Sequence, residues 1–226
     1  MHSFTGTLAG GNYIMAELTV ELLLKRLQSE SPEERTAAWQ EAGSLGAAAI
    51  EPLVRLVLEC EAQVASLKAE GKTKELAQPL EVGRAAKRAL WKIVRTVGAP
   101  NTAAEAKEAV EEALLNYIRP GLPDQLRRDV LWMLSEIGTD QTVRAIVDLP
   151  NVLEDKGIRD DARACVQRIG TPYAIEALQL GLREAKDDFR LAIAESLRVL
   201  GVAVDPEAYP SRKLVPKPEP TRDRTG

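Results

Sequence analysis

The chain holds a single histidine, His2, two cysteines, Cys60 and Cys165, and only 4% aromatic residues among its 226. With its one histidine at the start, outside any fold built further along, it has no means to form a His-based catalytic triad, His-ligated zinc or a paired His–Glu iron site. Two cysteines so far apart match no metal or redox spacing and cannot form a disulfide framework for a chain this long. There is no phosphate-binding glycine loop and no GxGxxG fingerprint. No apolar run reaches the roughly eighteen residues of a membrane-crossing helix. The start, "MHSFTGTLAGGNYIMAEL", lacks a charged region followed by an apolar core, so the expectation is a protein of the reducing cytoplasm with no membrane partner. A net charge of −4 and a pI near 5.3 remove the broad basic footprint of a nucleic-acid binder and leave room only for a local basic patch.

What is present is helical and aliphatic. Hydrophobic residues make up 45% of the chain, enough to bury a sizeable core, and Ala, Leu, Val, Glu and Arg dominate. One stretch, "RRDVLWMLSEIG" from Arg127, recurs in form at "RTAAWQEAGSLG" from Arg35, "KRALWKIVRTVG" from Lys87, "RDDARACVQRIG" from Arg159 and "RLAIAESLRVLG" from Arg190. In every window the fourth, eighth and eleventh residues are apolar: Ala38, Ala42, Leu45; Leu90, Val94, Val97; Val130, Leu134, Ile137; Ala162, Val166, Ile169; Ile193, Leu197, Leu200. Chance fills all fifteen roughly once in 10⁵ draws, and the three offsets share one helical face. Each window ends on glycine, at 46, 98, 138, 170 and 201, where a helix takes a left-handed C′ residue.

Between the windows lie further helical patterns: "ELTVELLLKRLQ", "AAAIEPLVRLVLE", "NTAAEAKEAVEEALLNYI", "TDQTVRAIVDL" and "TPYAIEALQLGLRE". Ser31-Pro32 with Glu34 reads as an N-cap, a first-turn proline and a capping-box partner, and Thr171-Pro172 repeats the cap and proline. The result is an all-α chain of ten helices in five antiparallel pairs. Paired helices at a period of 30 to 50 residues bury their apolar faces only by stacking, which makes an α-solenoid the expected architecture. The repeat domain spans 17–201. Residues 60–80 form an insertion, read as an extended helix end plus a polar loop. Residues 1–16 form a flexible N-terminal segment, and the Pro-rich, charged residues 202–226 form a disordered tail.

The "R..A...L..IG" pattern of these windows resembles HEAT repeats, in particular the short bacterial type found in phycobilin-lyase-like proteins. The resemblance covers residues 17–201. It implies that the opening Arg or Lys of each window locks neighbouring repeats, with Glu33, Asp124 and Asp188 as nearby acidic partners for Arg35, Arg127 and Arg190. It also implies that the second helix of each pair lines a concave face.

Trp39, Trp91 and Trp132 are the chain's three tryptophans, and all lie within windows. At 100° per residue, Trp39 and Trp91 fall on a flank and Trp132 points outward. Packing against the next repeat accounts for the flank pair, whereas an exposed tryptophan favours binding. Arg84, Arg88, Lys92 and Arg95 follow i, i+4, i+8, i+11 spacing and form one stripe. Arg128, Arg163 and Arg198 occupy the outward face of later windows. A solvated basic face accounts for this spacing, and so does a groove that takes an acidic protein segment, with Trp91 and Trp132 among the contacts. Cys165 reads as a small core residue and Cys60 as a surface thiol. Glu105, Glu108, Glu111 and Glu112 read as the solvated side of an amphipathic helix.

The function expected is a non-enzymatic scaffold or adaptor for a protein partner, with no cofactor, metal or catalytic residue. The alternatives are a bilin lyase or chromophore chaperone, implied by the repeat subtype alone, and a DNA-binding protein similar to the HEAT-like alkylpurine glycosylases. Acidity opposes the last.

Overall fold

Every window opens on the second of two helices that pack together. The computed structural model describes residues 18–148, 153 and 155–211, and the described residues are helical with no strand among them. In chain order the helices are α1 Val20–Leu27, α2 Pro32–Glu41, α3 Ile50–Ala69, α4 Ala77–Val97, α5 Ala104–Leu115, α6 Asp124–Ile137, α7 Asp140–Asp148, α8 Arg159–Ile169, α9 Pro172–Glu184 and α10 Phe189–Val199, with short 3-10 stretches at Ala42–Ala49 and Thr73–Glu75. Four windows lie on α4, α6, α8 and α10; the first begins on α2 and runs past Glu41 into the 3-10 stretch, which carries Ala42 and Leu45, and the intervening patterns form the odd-numbered helices. Twelve of the fifteen seam positions are buried; Leu45, Ile169 and Leu200, all at the third offset, are half-buried.

The caps explain where helices begin. Ser31 accepts a hydrogen bond from the Glu34 amide at 3.2 Å with Pro32 in the first turn, and Thr171 does the same for Ala174 at 3.1 Å with Pro172 following. The return arm of a capping box does not form at α2. The Ser31 amide donates instead to the Ser29 hydroxyl at 3.2 Å.

By packing, the chain divides into two compact units, Met1–Ala99 and Pro100–Gly226, where the sequence pattern reads as one continuous repeat domain. In the first unit α2 and α3 both pack on α4, and α1 packs on α2 and α3. Leu23, Leu27, Ile50, Leu53, Leu90 and Ile93 are fully buried there, each contributing about 1.5–3 kcal/mol by leaving water. The 60–80 insertion lengthens both helices: α3 runs on to Ala69, and α4 begins ten residues before Lys87. At Gly83 an added Cβ would sit 3.2 Å from the Cβ of Cys60, so the glycine permits a close approach of α4 to α3. That approach buries Cys60, which is therefore not the surface thiol expected. It is one of the residues lining a mainly apolar slot of about 190 Å³ between α3 and α4.

In the second unit the even helices touch in series, α6 on α8 and α8 on α10, and the odd helices do likewise, α5 on α7 and α7 on α9. Glycine spacing and seam spacing meet here. A Cβ at Gly138 would lie 3.0 Å from the Cδ1 of Ile169, and one at Gly170 would lie 3.2 Å from the Cδ2 of Leu200. The final glycines of the third and fourth windows, Gly138 and Gly170, thus make room for the last seam residue of the next window, whereas Gly46 has open space around it. Gly46 has a positive φ of +55° but a ψ of −142°, a kink inside the 3-10 stretch and not a left-handed helix cap. The left-handed C′ expectation holds at Gly170 and Gly201, whose φ angles are +61° and +79°. It fails at Gly98, which is right-handed, and at Gly138, which is extended at φ −62°, ψ 154°. Gly138 is required for space: its Cβ would also come within 2.5 Å of the Leu134 carbonyl.

Three polar links tie consecutive pairs of this unit together. Arg127, 3% exposed, donates to Asp155 at 2.6 Å, to Asp124 at 3.3 Å and to the Ile118 carbonyl at 3.3 Å. Arg159 donates to Asp187 at 2.8 Å and lies 4.5 Å over the Phe189 ring. Glu111 is fully buried and accepts hydrogen bonds from the amides and hydroxyls of Thr139 and Thr142, at 2.6 to 3.1 Å, at the start of α7. This corrects its reading as part of a solvated acidic face. Glu105, Glu108 and Glu112 are exposed, as expected.

Candidate functional site

The stripe on α4 is the most exposed set of the expected groove residues. Helical spacing puts Arg84, Arg88, Lys92 and Arg95 on one side of α4, and all four are exposed. The opposite side, carrying Ala86, Leu90, Ile93 and Val97, is buried. The Arg88 guanidinium lies 5.9 Å from the Trp39 ring centroid, bridging α4 to α2, and Arg95 lies 5.2 Å from the Trp91 ring. Both indoles are half-buried, and the Trp39 Nε1 is buried with no hydrogen-bond partner among the described residues. Packing by Trp39 on the next window's helix matches the expectation for that flank. Arg84 pairs with Glu81 at 2.5 Å. The other three cations have no ion-pair partner among the described residues, so the face is positive and partly stacked on aromatic rings.

In the second unit the expected cations are engaged. Arg128 is half-buried and donates to the Gly157 carbonyl at 2.9 Å and to Gln125 at 3.2 Å. Arg163 donates to the Ser196 hydroxyl at 2.6 Å and pairs with Asp160 at 3.4 Å. Arg198 pairs with Glu195 at 3.1 Å and donates to the Tyr209 carbonyl. Each therefore ties its helix to a later segment. Residues 202–211, read from composition as the start of a disordered tail, continue from α10 with the Val202 amide on the Leu197 carbonyl at 2.9 Å. Residues 1–17 and 212–226 lie outside the described residues.

Trp132 is 41% exposed, and so points outward as expected. It is also held: its Nε1 donates to Asp161 at 2.8 Å, and Arg168 sits 5.8 Å from the ring centroid. Of the locking basic residues, Arg35 donates to the Ser29 and Glu30 carbonyls at 2.6 and 2.9 Å and not to Glu33. Lys87 reaches back to Glu61 at 3.0 Å, and Arg190 stays exposed.

Sequence reasoning missed the two inter-repeat carboxylates. Asp155 takes Arg127 on one oxygen and the Gly157 amide on the other, at 2.9 Å; Asp187 takes Arg159 and the Phe189 amide at 3.0 Å. Their signal was a short Asx turn just ahead of the next window, 28 residues past the arginine. The charge-assisted bond from Arg127, followed by that from the Gly157 amide, holds the Asp155 carboxyl below its ordinary value, and Arg159 followed by the Phe189 amide acts likewise on Asp187.

Burial pushes the Cys165 thiol up to about 12, and burial first, then Glu59 and Glu61, raises Cys60. Neither thiol is set up as a nucleophile. Among the described residues no group of three His, Cys, Asp or Glu side chains is placed to hold a metal, and no helix is long and apolar enough to cross a membrane. Comparison with known proteins gives no match to a family model, a curated protein or a solved structure.

Proposed function

We propose that this chain is a short HEAT-like α-solenoid that works as a non-enzymatic interaction module in the cytoplasm, and that its α4 face holds an acidic segment of a protein partner. The observation that carries the reading is the exposed row Arg84, Arg88, Lys92, Arg95, with two of its guanidinium groups over Trp39 and Trp91. A row that served solubility alone gains nothing from being held on aromatic rings. Stacking restricts the arginines in advance, so less side-chain entropy is lost when a carboxylate arrives. Serial contact of even helices and of odd helices within Pro100–Gly226 supports the stacked-pair architecture.

Individual exposed ion pairs are worth about 0–1 kcal/mol, so binding requires several at once and weakens with salt. The test is fluorescence anisotropy of a labelled glutamate-rich peptide against the wild type and the Arg88→Glu/Lys92→Glu variant, with circular dichroism to check folding. The expected result is salt-sensitive binding by the wild type and at least about tenfold weaker binding by the equally helical variant. Equal binding by the two proteins, or none by the wild type at low salt, overturns the reading.

A further inference from the structure

We infer that the acidic segment received by the α4 face is α5 of a second copy of this chain, an inference that rests on the reading of α4 given above. The chain carries both halves of such a contact. On α5, Glu105, Glu108 and Glu112 follow i, i+3, i+7 spacing, are all exposed, and have no ion-pair partner among the described residues. Ala106 and Ala109 are exposed beside them. The opposite side of α5 is fixed by Val110, Glu111 and Leu114, all fully buried, so the acidic face is held toward solvent by its own unit's core.

The two faces match in chemistry and in scale. Three carboxylates span about 10 Å of helix and four cations about 16 Å, at 1.5 Å per residue. Alanines between the glutamates leave α5 low-profiled, so another helix can approach close enough for the glutamates to reach guanidinium groups and for the methyls to rest on the half-buried Trp91 ring. Complementary charge also steers the encounter and sets its register. Because the two faces differ, the contact is heterologous, and each added copy leaves one face of each kind open unless a ring closes.

The test is light scattering of the full chain over a range of concentrations at low and at high salt, with two charge-reversed variants, Glu105→Lys/Glu108→Lys/Glu112→Lys and Arg84→Glu/Arg88→Glu/Lys92→Glu. The expected result is a mass that rises with concentration at low salt and returns to one copy at about 0.5 M salt, where screening acts within a few ångströms. Each variant alone should stay single, and mixing the two should restore association. A wild type that remains a single copy throughout overturns the inference, as does unchanged association of the glutamate variant. The glutamate variant keeps α4 intact: if it binds the labelled acidic peptide as the wild type does while the wild type fails to self-associate, only this inference falls. If the peptide is not bound by any form, the reading of α4 falls as well.

Discussion

Arg127 of α6 holds Asp155, 28 residues further along, at 2.6 Å, and Arg159 of α8 holds Asp187 at the same separation in sequence and 2.8 Å. One repeat's opening arginine is therefore bonded to the turn that starts the next repeat's second helix. Replacing Arg127 with methionine leaves the Ile118 carbonyl and Asp155 without their donor in a site where Arg127 is almost wholly buried. The expected loss is about 2–3 kcal/mol, less than for a fully buried pair because Asp155 keeps some contact with water. Urea unfolding measures it. Arg159→Met should cost less, since Asp187 is the more exposed partner.

The same bond sets a pH dependence. The folded-state value of Asp155 is depressed, so its contribution is present above the unfolded carboxylate value, near 3.9, and is lost as pH falls through the folded value. The stability gap between wild type and Asp155→Asn should be constant from neutral pH down to about 5 and should shrink below about 4. A gap that widens on acidification contradicts the assignment.

At the start of α7, Glu111 acts as a cap supplied from another helix. Glu111→Ala strands the amides of Thr139 and Thr142 and two hydroxyls, with an expected cost of about 2–4 kcal/mol. Glu108→Ala, three residues earlier and exposed, should change stability by no more than about 0.5 kcal/mol. Denaturant curves of the two variants side by side separate a cap from a solvated face.

Gly138→Ala and Gly46→Ala should differ in size and in cause. At Gly138 the new methyl meets the Leu134 carbonyl and Ile169, which must move, at an expected cost above about 2 kcal/mol. At Gly46 the methyl has open space and only the backbone resists it, since φ +55° with ψ −142° is a conformation kept almost entirely to glycine, at about 1–2 kcal/mol. Thermal unfolding of both, with the second helix boundaries checked by hydrogen exchange, tests the claim that Gly138 serves packing between repeats whereas Gly46 serves only the local chain turn.

Helix order was legible in the sequence because the apolar seam, the Ser31 and Thr171 caps and the two first-turn prolines are local signals. The α4 stripe was legible for the same reason, since one helix's periodicity fixes which side chains share a face. Contacts between repeats were not. Nothing in the neighbourhood of Glu111 distinguishes it from Glu108 or Glu112; only the arrival of Thr139 and Thr142 makes it a buried acceptor. Arg128, Arg163 and Arg198 looked equivalent to the α4 cations, yet each found a carbonyl or hydroxyl in a later segment. Cys60 was misplaced because the insertion lengthened α3 and α4 and closed over it, an outcome that depends on Gly83 lying across from it.

The three indole N–H resonances give the most direct test of the account, since Trp39 and Trp91 each lie under an arginine of the cationic row and Trp132 lies under Arg168. In a nitrogen-proton correlation spectrum recorded while a glutamate-rich peptide is added at low salt, the Trp39 and Trp91 signals should shift together and saturably, with Trp132 unchanged. Shifts confined to Trp132, or three signals that never move while the peptide binds, would contradict the assignment of the acidic partner to α4.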